Sequence, residues 1–189
     1  MKKTVTVLLL ATALSAAAQE DPNKTQSGPF VMCNTAAYAL CIKAPCEKKS
    51  PDGKEVLCEC VMQSGWNMGP GSCEERAKTL TSTYSNNFNP YSATMSCPQG
   101  TKWALCYGAK CERDPKDPSK ATCKCPVLEA PMTVMVSRDL CGDPSKVCSV
   151  LWSAATPEAS NFANTHFYSW MTDHGMPANP PAPACPAAK

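Results

Sequence analysis

Short apolar stretches alternate with polar, turn-rich loops along much of this chain. One apolar stretch occupies 38–42, the polar loop 48–54 follows, and a second apolar stretch occupies 56–61. The same order returns later in the chain, at 103–107, 113–120 and 121–127. Short runs of this kind on either side of a loop that contains Pro, Asp or Gly are typical of β-hairpins. The pattern therefore predicts two hairpins.

The clearest helical periodicity lies over 157–173. Its apolar and aromatic positions recur at helical spacing and define one face, formed by Ala159, Phe162, Ala163, His166, Phe167, Trp170 and His174. Thr156 is suited to cap the first turn, Pro157 to open the helix and Gly175 to end it. We expect this amphipathic helix to cover the second hairpin. A shorter helix is expected over 73–84.

The 14 cysteines place this pattern in a repeated frame. Five cysteines recur 64 or 65 positions later, the first set being Cys33, Cys41, Cys46, Cys58 and Cys60 and the second being Cys97, Cys106, Cys111, Cys123 and Cys125. Cys73 and Cys148 extend the match, because Ser-Asn follows each of them after the same interval. The spacing predicts a tandem duplication of one small unit, with one bridge pattern in both copies.

The Cys-x-Cys motif of each copy restricts this pairing. Because side chains alternate along a strand, Cys58 and Cys60 should point to one face about 7 Å apart and should not bond each other. Each needs its own partner, and the sequence leaves those partners open. Outside the frame, we expect either Cys141 or Cys148 to bond Cys185 and so to fix the tail.

These patterns define an expected organisation. A signal peptide would occupy 1–18, the first cysteine-rich repeat 19–92, the second repeat with its helix 93–176, and a Pro/Ala-rich tail 177–189. The expected fold class is small, disulfide-rich and mainly β, with two tandem β-hairpin repeats and a C-terminal amphipathic helix.

The N-terminal residues resemble a secretory signal. Lys2 and Lys3 precede an apolar run over 5–14, and Ala16-x-Ala18 offers a cleavage site after Ala18. We expect a periplasmic or secreted protein. No later segment approaches the roughly 20 apolar residues of a membrane span, so none is expected.

Composition explains why the cysteines are needed. Leu, Ile, Val and Phe together account for 20 of the 171 residues after Ala18, too few for an ordinary core. In an oxidising compartment, paired cysteines supply the missing stability. We therefore expect all fourteen cysteines in disulfides, including Cys73, Cys141, Cys148 and Cys185, and no metal or other cofactor, although Cys-x-Cys is also a zinc-ligand pattern.

Charge and aromatic content narrow the choice of partner. Without Lys2 and Lys3, basic and acidic residues are equal in number and interleaved, which argues against nucleic acid. The partner is unknown; a protein or a glycan outside the cytoplasm is the expected class. Four tryptophans either form a binding platform or fill the core: Trp66, Trp103, Trp152 and Trp170.

No catalytic motif stands out, so an enzyme is not the favoured interpretation. His166 and His174 lie about 12 Å apart along one helix, too far to share a metal without further ligands. No G-x-S-x-G motif is present to support a hydrolase. A small periplasmic hydrolase, or a redox protein that uses Cys-x-Cys, remains the enzyme alternative.

The favoured function is an exported, disulfide-stabilised binding or structural module whose ligand is unknown. The main alternative is a double-headed protease inhibitor, because a basic loop held between cysteines can mimic a substrate. Its candidate contact residues would be Lys48, Lys49, Arg113 and Lys116.

Several segments carry a resemblance to other proteins. They are Thr81–Ser85 read as Thr-Ser-Thr-Tyr-Ser, Met95-x-Cys97, Trp103-Ala104-x-Cys106, the run 117–125 and the run 152–156. Together they resemble exported, cysteine-rich bacterial proteins with a duplicated cysteine frame and no established function. The resemblance implies an exported disulfide protein and transfers no active site.

Overall fold

The computed structural model describes residues 25–27, 30–42, 44–49, 52–86 and 92–186. The expected signal peptide and its cleavage site lie outside these ranges. The strands are β1 (Thr25–Ser27), β2 (Phe30–Leu40), β3 (Cys46–Lys49), β4 (Glu55–Gly69), β5 (Ser92–Cys97), β6 (Lys102–Ala104), β7 (Cys111–Arg113), β8 (Lys120–Glu129) and β9 (Met132–Ser137). The helices are α1 (Cys73–Lys78), α2 (Pro144–Cys148) and α3 (Pro157–Asp173), with a 3-10 turn at Arg138–Gly142.

One large antiparallel sheet organises these elements. Its strand order is β1-β2-β4-β8-β6, with β3 also paired to β4 and β7 to β8, while β5 and β9 form a separate pair. The residues 30–86 are called the first half below, and 92–156 the second half. The fold is small, mainly β and rich in disulfides, which confirms this part of the expected class.

Two β-hairpins are present, but their first arms differ from the expectation. β3 pairs with β4 and places Cys46 opposite Cys58; β7 pairs with β8 and places Cys111 opposite Cys123. The apolar stretch at 38–40 instead belongs to β2, where Tyr38 pairs with Gln63 farther along β4. The stretches at 38–42 and 103–107 therefore lie one strand farther out than expected: 38–40 ends β2 and 103–104 lies in the short strand β6. They still pair antiparallel with the expected second arms, at Leu40–Val61 and Ala104–Val127.

All fourteen cysteines form disulfides, and none is free. The bridges are Cys33–Cys73, Cys41–Cys60, Cys46–Cys58, Cys97–Cys148, Cys106–Cys125, Cys111–Cys123 and Cys141–Cys185. The five frame cysteines pair in the same way in both halves, and Cys58 and Cys60 take separate partners. Cys141 is the residue that bonds Cys185. Seven disulfides indicate an oxidising compartment.

The two hairpins meet through their inner strands. β4 and β8 run antiparallel, and their register places Cys58 opposite Cys123. Cys58, Cys60, Cys123 and Cys125 alternate with outward side chains, and all four are buried in one cluster with Val56 and Ala121. Half-cystine sulfur thus fills the centre of the sheet, where a protein richer in aliphatic residues would place Leu and Ile.

After its helix, each half sends a return segment back across the sheet. The first segment, 80–84, hydrogen-bonds its own half through Ala39 N to Thr81 O (3.0 Å) and the other half through Ser82 N to Ala109 O (2.8 Å). The second segment, 151–155, makes the corresponding bonds through Ala104 N to Trp152 O (2.9 Å) and Ser153 N to Ala44 O (2.9 Å). Each half therefore makes backbone hydrogen bonds with the return segment of the other half.

The helix expected at 157–173 is present with these bounds, and Thr156 caps it by accepting a hydrogen bond from Ala159 N at 3.2 Å. Its buried aromatic residues, Phe167 and Trp170, pack in one cluster with Met32 and Met68 of the first half. The expectation that it covers the second hairpin was wrong. Met32 and Met68, which pair across β2 and β4, form part of the apolar surface on which these aromatic residues pack.

Helix α1 and the tail complete the fold. α1 ends at Lys78 rather than continuing to 84, because the chain turns extended at Thr79 and pairs as the return segment. The tail is extended, and Thr94 binds it on both sides, donating from its N to Pro183 O (2.8 Å) and accepting from Cys185 N (2.8 Å). In the described ranges no helix combines the length and apolar character that a membrane crossing requires.

Candidate binding cavity

A cavity of about 320 Å³ lies where the two halves meet α3. Its apolar lining comes from the first half (Phe30, Ile42, Tyr84), the second half (Trp103, Leu105, Leu128, Met135, Ala154) and the helix (Ala159, Ala163). The two return segments form opposite parts of its wall. The cavity therefore depends on each return segment packing against both halves. The cysteine pattern alone does not predict this arrangement.

One polar pair in the lining is internally satisfied. Tyr84 OH donates to Asn164 Oδ1 at 2.6 Å, and Asn164 Nδ2 donates to Ser160 O at 3.0 Å. Burial raises the pKa of Tyr84 above its usual value, so the phenol stays protonated. This hydrogen bond connects α3 to the first return segment. Because it uses the hydroxyl hydrogen of Tyr84, Tyr84 has no further hydrogen to donate to a ligand.

Three other polar atoms of lining residues are buried without a hydrogen-bond partner among the described residues. They are Thr83 Oγ1, Trp103 Nε1 and Tyr107 OH. A buried donor without a partner costs about 1–3 kcal/mol, and such groups are few in native proteins. These three atoms have almost no accessible surface, so they face packed protein atoms and do not open onto the cavity, although their residues line it through other atoms.

A buried arginine lies beside this group. Arg76 is 5% exposed, and its Nη2 donates to Val31 O at 3.0 Å, while Nε and Nη1 have no partner in the described part of the chain. Its guanidinium and the Thr83 methyl occupy the space where a Cβ on Gly69 would stand. Glycine at 69 therefore makes room for the arginine, and burial lowers the pKa of Arg76.

Local sequence explains why Arg76 turns inward without a carboxylate. Glu75 completes a capping box with Ser72, whose backbone N donates to Glu75 Oε2 at 2.8 Å, and these hydrogen bonds lower the pKa of Glu75. Glu74 pairs with Lys78 at 2.6 Å on the exposed face. Glu74 and Glu75 therefore bond to other groups at the protein surface, while the Arg76 guanidinium is buried.

A second cleft, of about 340 Å³, lies on another side of α3. It is lined by Tyr38, Ser64, Trp66, Ser85, Asn86, Phe167, Met171, Pro177, Ala178 and Asn179. Its polar groups are engaged with one another: Tyr38 OH donates to Ser85 Oγ at 2.8 Å, and Asn179 Nδ2 donates to Asn86 O at 2.9 Å. The second cleft therefore presents fewer unmet donors than the first.

The two histidines lie on α3 away from both cavities. His166 stacks on Phe162, and His174 stacks on Trp170, with His174 Nδ1 at 2.7 Å from Trp170 O. As far as the described residues extend, neither cavity is lined by a histidine or a carboxylate. The geometry therefore supplies no acid–base pair for a hydrolase.

The cysteines offer neither a redox pair nor a metal site in this arrangement. The sulfur atoms of Cys41, Cys60 and Cys123 lie within 4.8 Å of one another, but each belongs to a disulfide. Metal ligation and thiol exchange both require a thiolate. Because Cys58 and Cys60 are buried, their bridges are also shielded from an attacking thiol.

The residues considered for an inhibitor lie at the hairpin turns. Arg113 and Lys116 are exposed, and Asp114 Oδ1 accepts from Lys116 N at 2.7 Å to shape the turn. The side chains of Lys48 and Lys49 lie outside what the structure describes. The structure thus leaves the second loop accessible without bringing its basic residues to either cavity.

The four tryptophans do not form a common platform. Trp66 and Trp170 pack together with ring centroids 4.7 Å apart, and Trp152 donates its Nε1 to Val147 O at 3.0 Å. Trp103 is buried among the residues of the second half. All four therefore have packing partners among the described residues, and Trp103 is the tryptophan that lines the apolar cavity.

Sequence reasoning missed Arg76, Thr83 and Tyr107. Glu74, Glu75 and Arg76 belong to the interleaved charges from which only the exclusion of nucleic acid was inferred, whereas helical spacing places Arg76 on the same face as the bridged Cys73. That spacing was an available signal that the arginine points inward. Thr83 and Tyr107 gave no comparable signal, because the return segment that brings them together is not visible as a pattern.

The comparisons with known proteins add no assignment. No family model matches the chain, and neither a curated protein nor a solved structure matches it. The resemblance to exported cysteine-rich proteins therefore stays a prediction.

Proposed function

We propose that this protein is an exported binding module that encloses a small apolar molecule in the cavity between its halves. The observation that carries the proposal is the cavity of about 320 Å³, whose lining is almost entirely apolar. Pockets for small molecules are commonly of this size and consist mainly of apolar side chains with a few polar groups that orient the ligand.

The cavity's construction supports binding over a purely structural role. A chain this poor in aliphatic residues gains stability from every apolar contact, so an unfilled apolar space is costly. The residues around the cavity come from both halves and from α3, so a bound ligand would contact elements that are distant in sequence.

A tandem duplication, with an N-terminal signal peptide cleaved after Ala18, completes the proposal. Support for the duplication comes from the matching bridges and from the turns, where Asp52 Oδ1 accepts from Lys54 N (3.1 Å) and Asp117 Oδ1 from Ser119 N (3.0 Å). The two repeats would occupy 19–92 and 93–176. Periplasmic or extracellular location follows from the signal and the disulfides together.

The proposed function is tested with the neutral fluorescent probe N-phenyl-1-naphthylamine. We expect saturable binding of one probe per folded chain, and loss of at least about tenfold in affinity for Ala163→Phe, which fills the cavity from α3. Ser169→Phe, which adds the same ring on the exposed face of α3, is the matched control and should bind as the parent does.

Circular dichroism keeps this test interpretable. Both variants should retain the parent's spectrum, because each changes one residue of a helix whose buried aromatic residues are untouched. Absence of probe binding by the folded parent, or equal binding by Ala163→Phe, would contradict the proposed function.

A double-headed protease inhibitor is the second candidate function. The pairing of Glu55 with Pro126 and of Val61 with Lys120 puts the two hairpin turns at opposite ends of the β4–β8 pair, as an inhibitor with two separate contact loops requires. Trypsin assays decide it: inhibition should be reduced by Arg113→Ala with Lys116→Ala and unchanged by Lys146→Ala. An uninhibited protease would eliminate this candidate.

A further inference from the structure

We propose that the ligand of the cavity is uncharged throughout, so that the cavity accepts neutral, hydrocarbon-rich molecules and rejects amphiphiles whose head group is ionised. This inference rests on the proposed function and adds the chemical class of the ligand. It is argued from the charge of the cavity wall, from the hydrogen bonds that already engage its polar groups, and from the capped end of α3.

The first step concerns the charge of the cavity wall. Within the ranges that the structure describes, the lining contains no Asp, Glu, Lys, Arg or His residue. Arg76 is buried but does not belong to the lining. Burial raises the pKa of Tyr84 and of Tyr107, so both stay neutral phenols. The described wall therefore offers no ion to pair with a charged ligand.

The second step concerns the polar side chains of the wall. Asn164 accepts from Tyr84 OH through its Oδ1 (2.6 Å) and donates through its Nδ2 to Ser160 O (3.0 Å). Thr133 Oγ1 shares a hydrogen bond with Ser96 Oγ at 3.3 Å. A charged ligand would have to compete with these bonds for the same groups. The three unpartnered polar atoms of the lining residues face packed protein and do not open onto the cavity.

The third step concerns the backbone around the cavity. In the first return segment, Tyr84 N donates to Met68 O (2.8 Å) and Tyr84 O accepts from Met68 N (2.7 Å). In the second, Ala155 N donates to Thr133 O (3.2 Å), and Thr133 N donates to Ala155 O (2.7 Å). Thr94 of β5 uses its N and its O on the tail. At these positions the backbone groups bond to neighbouring strands rather than face a ligand.

The first turn of α3 is the part of the wall that could attract an anion, because a helix N-terminus carries a partial positive charge and free N–H groups. Thr156, Ala159 and Ser160 of this turn line the cavity. However, Ala159 N donates to Thr156 Oγ1 (3.2 Å), and Ser160 N donates to Thr156 O (2.9 Å). Pro157 has no N–H, and Glu158 adds a carboxylate to the same turn. An anionic ligand would therefore meet a capped helix end and a like charge.

These features together favour a neutral ligand over an ion of the same size. An ionised group that enters such an enclosure loses its hydration and finds no counter-ion in the described wall, which is strongly unfavourable. An apolar body has no such cost, and its removal from water is favourable in proportion to the area buried. The cavity should therefore discriminate between ligands by the charge of the head group.

Displacement of bound N-phenyl-1-naphthylamine by 1-octanol, octanoate and octylammonium tests the inference, since these ligands share one apolar chain and differ in charge. At about pH 8 we expect 1-octanol to bind at least about tenfold more tightly than either ion. Displacement of the probe also shows that ligand and probe compete for one site.

The pH dependence identifies which form of the acid binds. The neutral fraction of octanoic acid increases about a hundredfold from about pH 8 to about pH 6, so the apparent affinity for octanoate should increase at least about tenfold. Octylammonium stays ionised, and its affinity should stay within about twofold, as should that of 1-octanol. The 1-octanol series also controls for titration of His166 and His174, which lie on α3 outside the cavity lining.

Two variants locate the preference in the cavity. Ala163→Phe should lower the affinity for 1-octanol at least about tenfold and so remove the difference between alcohol and ion. Ser169→Phe adds the same ring on the exposed face of α3 and should keep the parent's affinities and its preference. If Ala163→Phe does not fold, displacement of the probe from the parent, together with the pH series, decides.

The outcomes separate the inference from the proposed function. Binding of octanoate or octylammonium at about pH 8 as tight as that of 1-octanol, or no gain for octanoate in acid, overturns the uncharged class and leaves the apolar cavity standing. A preference that persists in folded Ala163→Phe, or a bound probe that 1-octanol does not displace, overturns it too. If neither N-phenyl-1-naphthylamine nor 1-octanol binds the folded parent, the proposed function fails as well.

Discussion

The two halves share a cysteine framework but differ in their long strands. In the first half, β2 and β4 are continuous over 11 and 15 residues. In the second half the corresponding strands are interrupted, by Pro98 between β5 and β6 and by Pro131 between β8 and β9. Proline has no N–H to donate to a ladder, so these interruptions follow from the sequence. The disulfides fix the centre of each half, while its outer parts are free to differ.

The covering elements differ as well. The first half is covered by α3 through Phe167 and Trp170, whereas the second half is covered by α2 and by the tail that Cys141–Cys185 fixes. The cavity lies where these different outer parts meet. A symmetric pair of identical halves would present two equal surfaces at this place, so the apolar cavity depends on the difference between the halves.

The two halves also differ in the charged residues that face each other across the β4–β8 pair. Glu55 pairs with Lys124 (2.6 Å) and Glu59 with Lys120 (2.9 Å), so one half contributes the acids and the other the bases. Because the strands run antiparallel about Cys58 and Cys123, identical halves would place like charges opposite each other. Opposite charges therefore favour pairing between the two different halves.

Reduction of the disulfides should have the largest effect. Because neither half has enough aliphatic residues to fold alone, we expect the reduced protein to lose β structure and α3 together, since an isolated helix of this length is marginal in water. Circular dichroism with and without reductant at neutral pH measures this. A native spectrum and a cooperative thermal transition after full reduction would contradict it.

Removal of one corresponding bridge from each half compares them directly. Cys46→Ala with Cys58→Ala, and Cys111→Ala with Cys123→Ala, each remove a bridge of sequence separation 12. We expect each pair to lower the free energy of unfolding by about 2–4 kcal/mol. Urea denaturation measures the two losses, and a difference between them of more than about 2 kcal/mol would break the equivalence of the halves.

The sequence allowed part of this architecture to be predicted. The shared bridge pattern followed from equal spacing, and α3 followed from Thr156, Pro157 and the helical periodicity, because caps and disulfides are local or geometrically constrained signals. The side of the sheet that α3 covers could not be predicted, since Met32 and Met68 become neighbours only through β2–β4 pairing. The cavity and the surroundings of Arg76 also depend on contacts between segments that are distant in sequence, so they could not be predicted either.

Charge reversal at the β4–β8 pair should have a smaller effect. Glu55→Lys with Glu59→Lys places cations opposite Lys120 and Lys124, so the urea midpoint should fall, and more so at low salt than at high salt. Adding Lys120→Glu and Lys124→Glu restores opposite charges in the reverse order and should recover the midpoint. Failure of this double reversal to recover stability would show that the pairing does not depend on charge.

The smallest effect is expected at the second hairpin turn. Hydrogen bonds from Ser119 lower the pKa of the exposed Asp117 in the folded protein. This carboxylate therefore stabilises the fold above its unfolded pKa of about 3.9, and the contribution disappears as the pH falls through the lowered folded pKa. Asp117→Asn should be slightly less stable at pH 7 and lose this difference in acid. A difference that persists at the lowest pH would contradict the assignment.

The most direct test of the cavity is an NMR measurement of contacts between bound N-phenyl-1-naphthylamine and the methyl groups of the protein. We predict intermolecular NOEs to Ala163 of α3, to Met135 and Ala154 of the second half and to Ile42 of the first half. Contacts confined to Leu57 and Val61, the apolar residues exposed on the outer face of β4, would contradict the account.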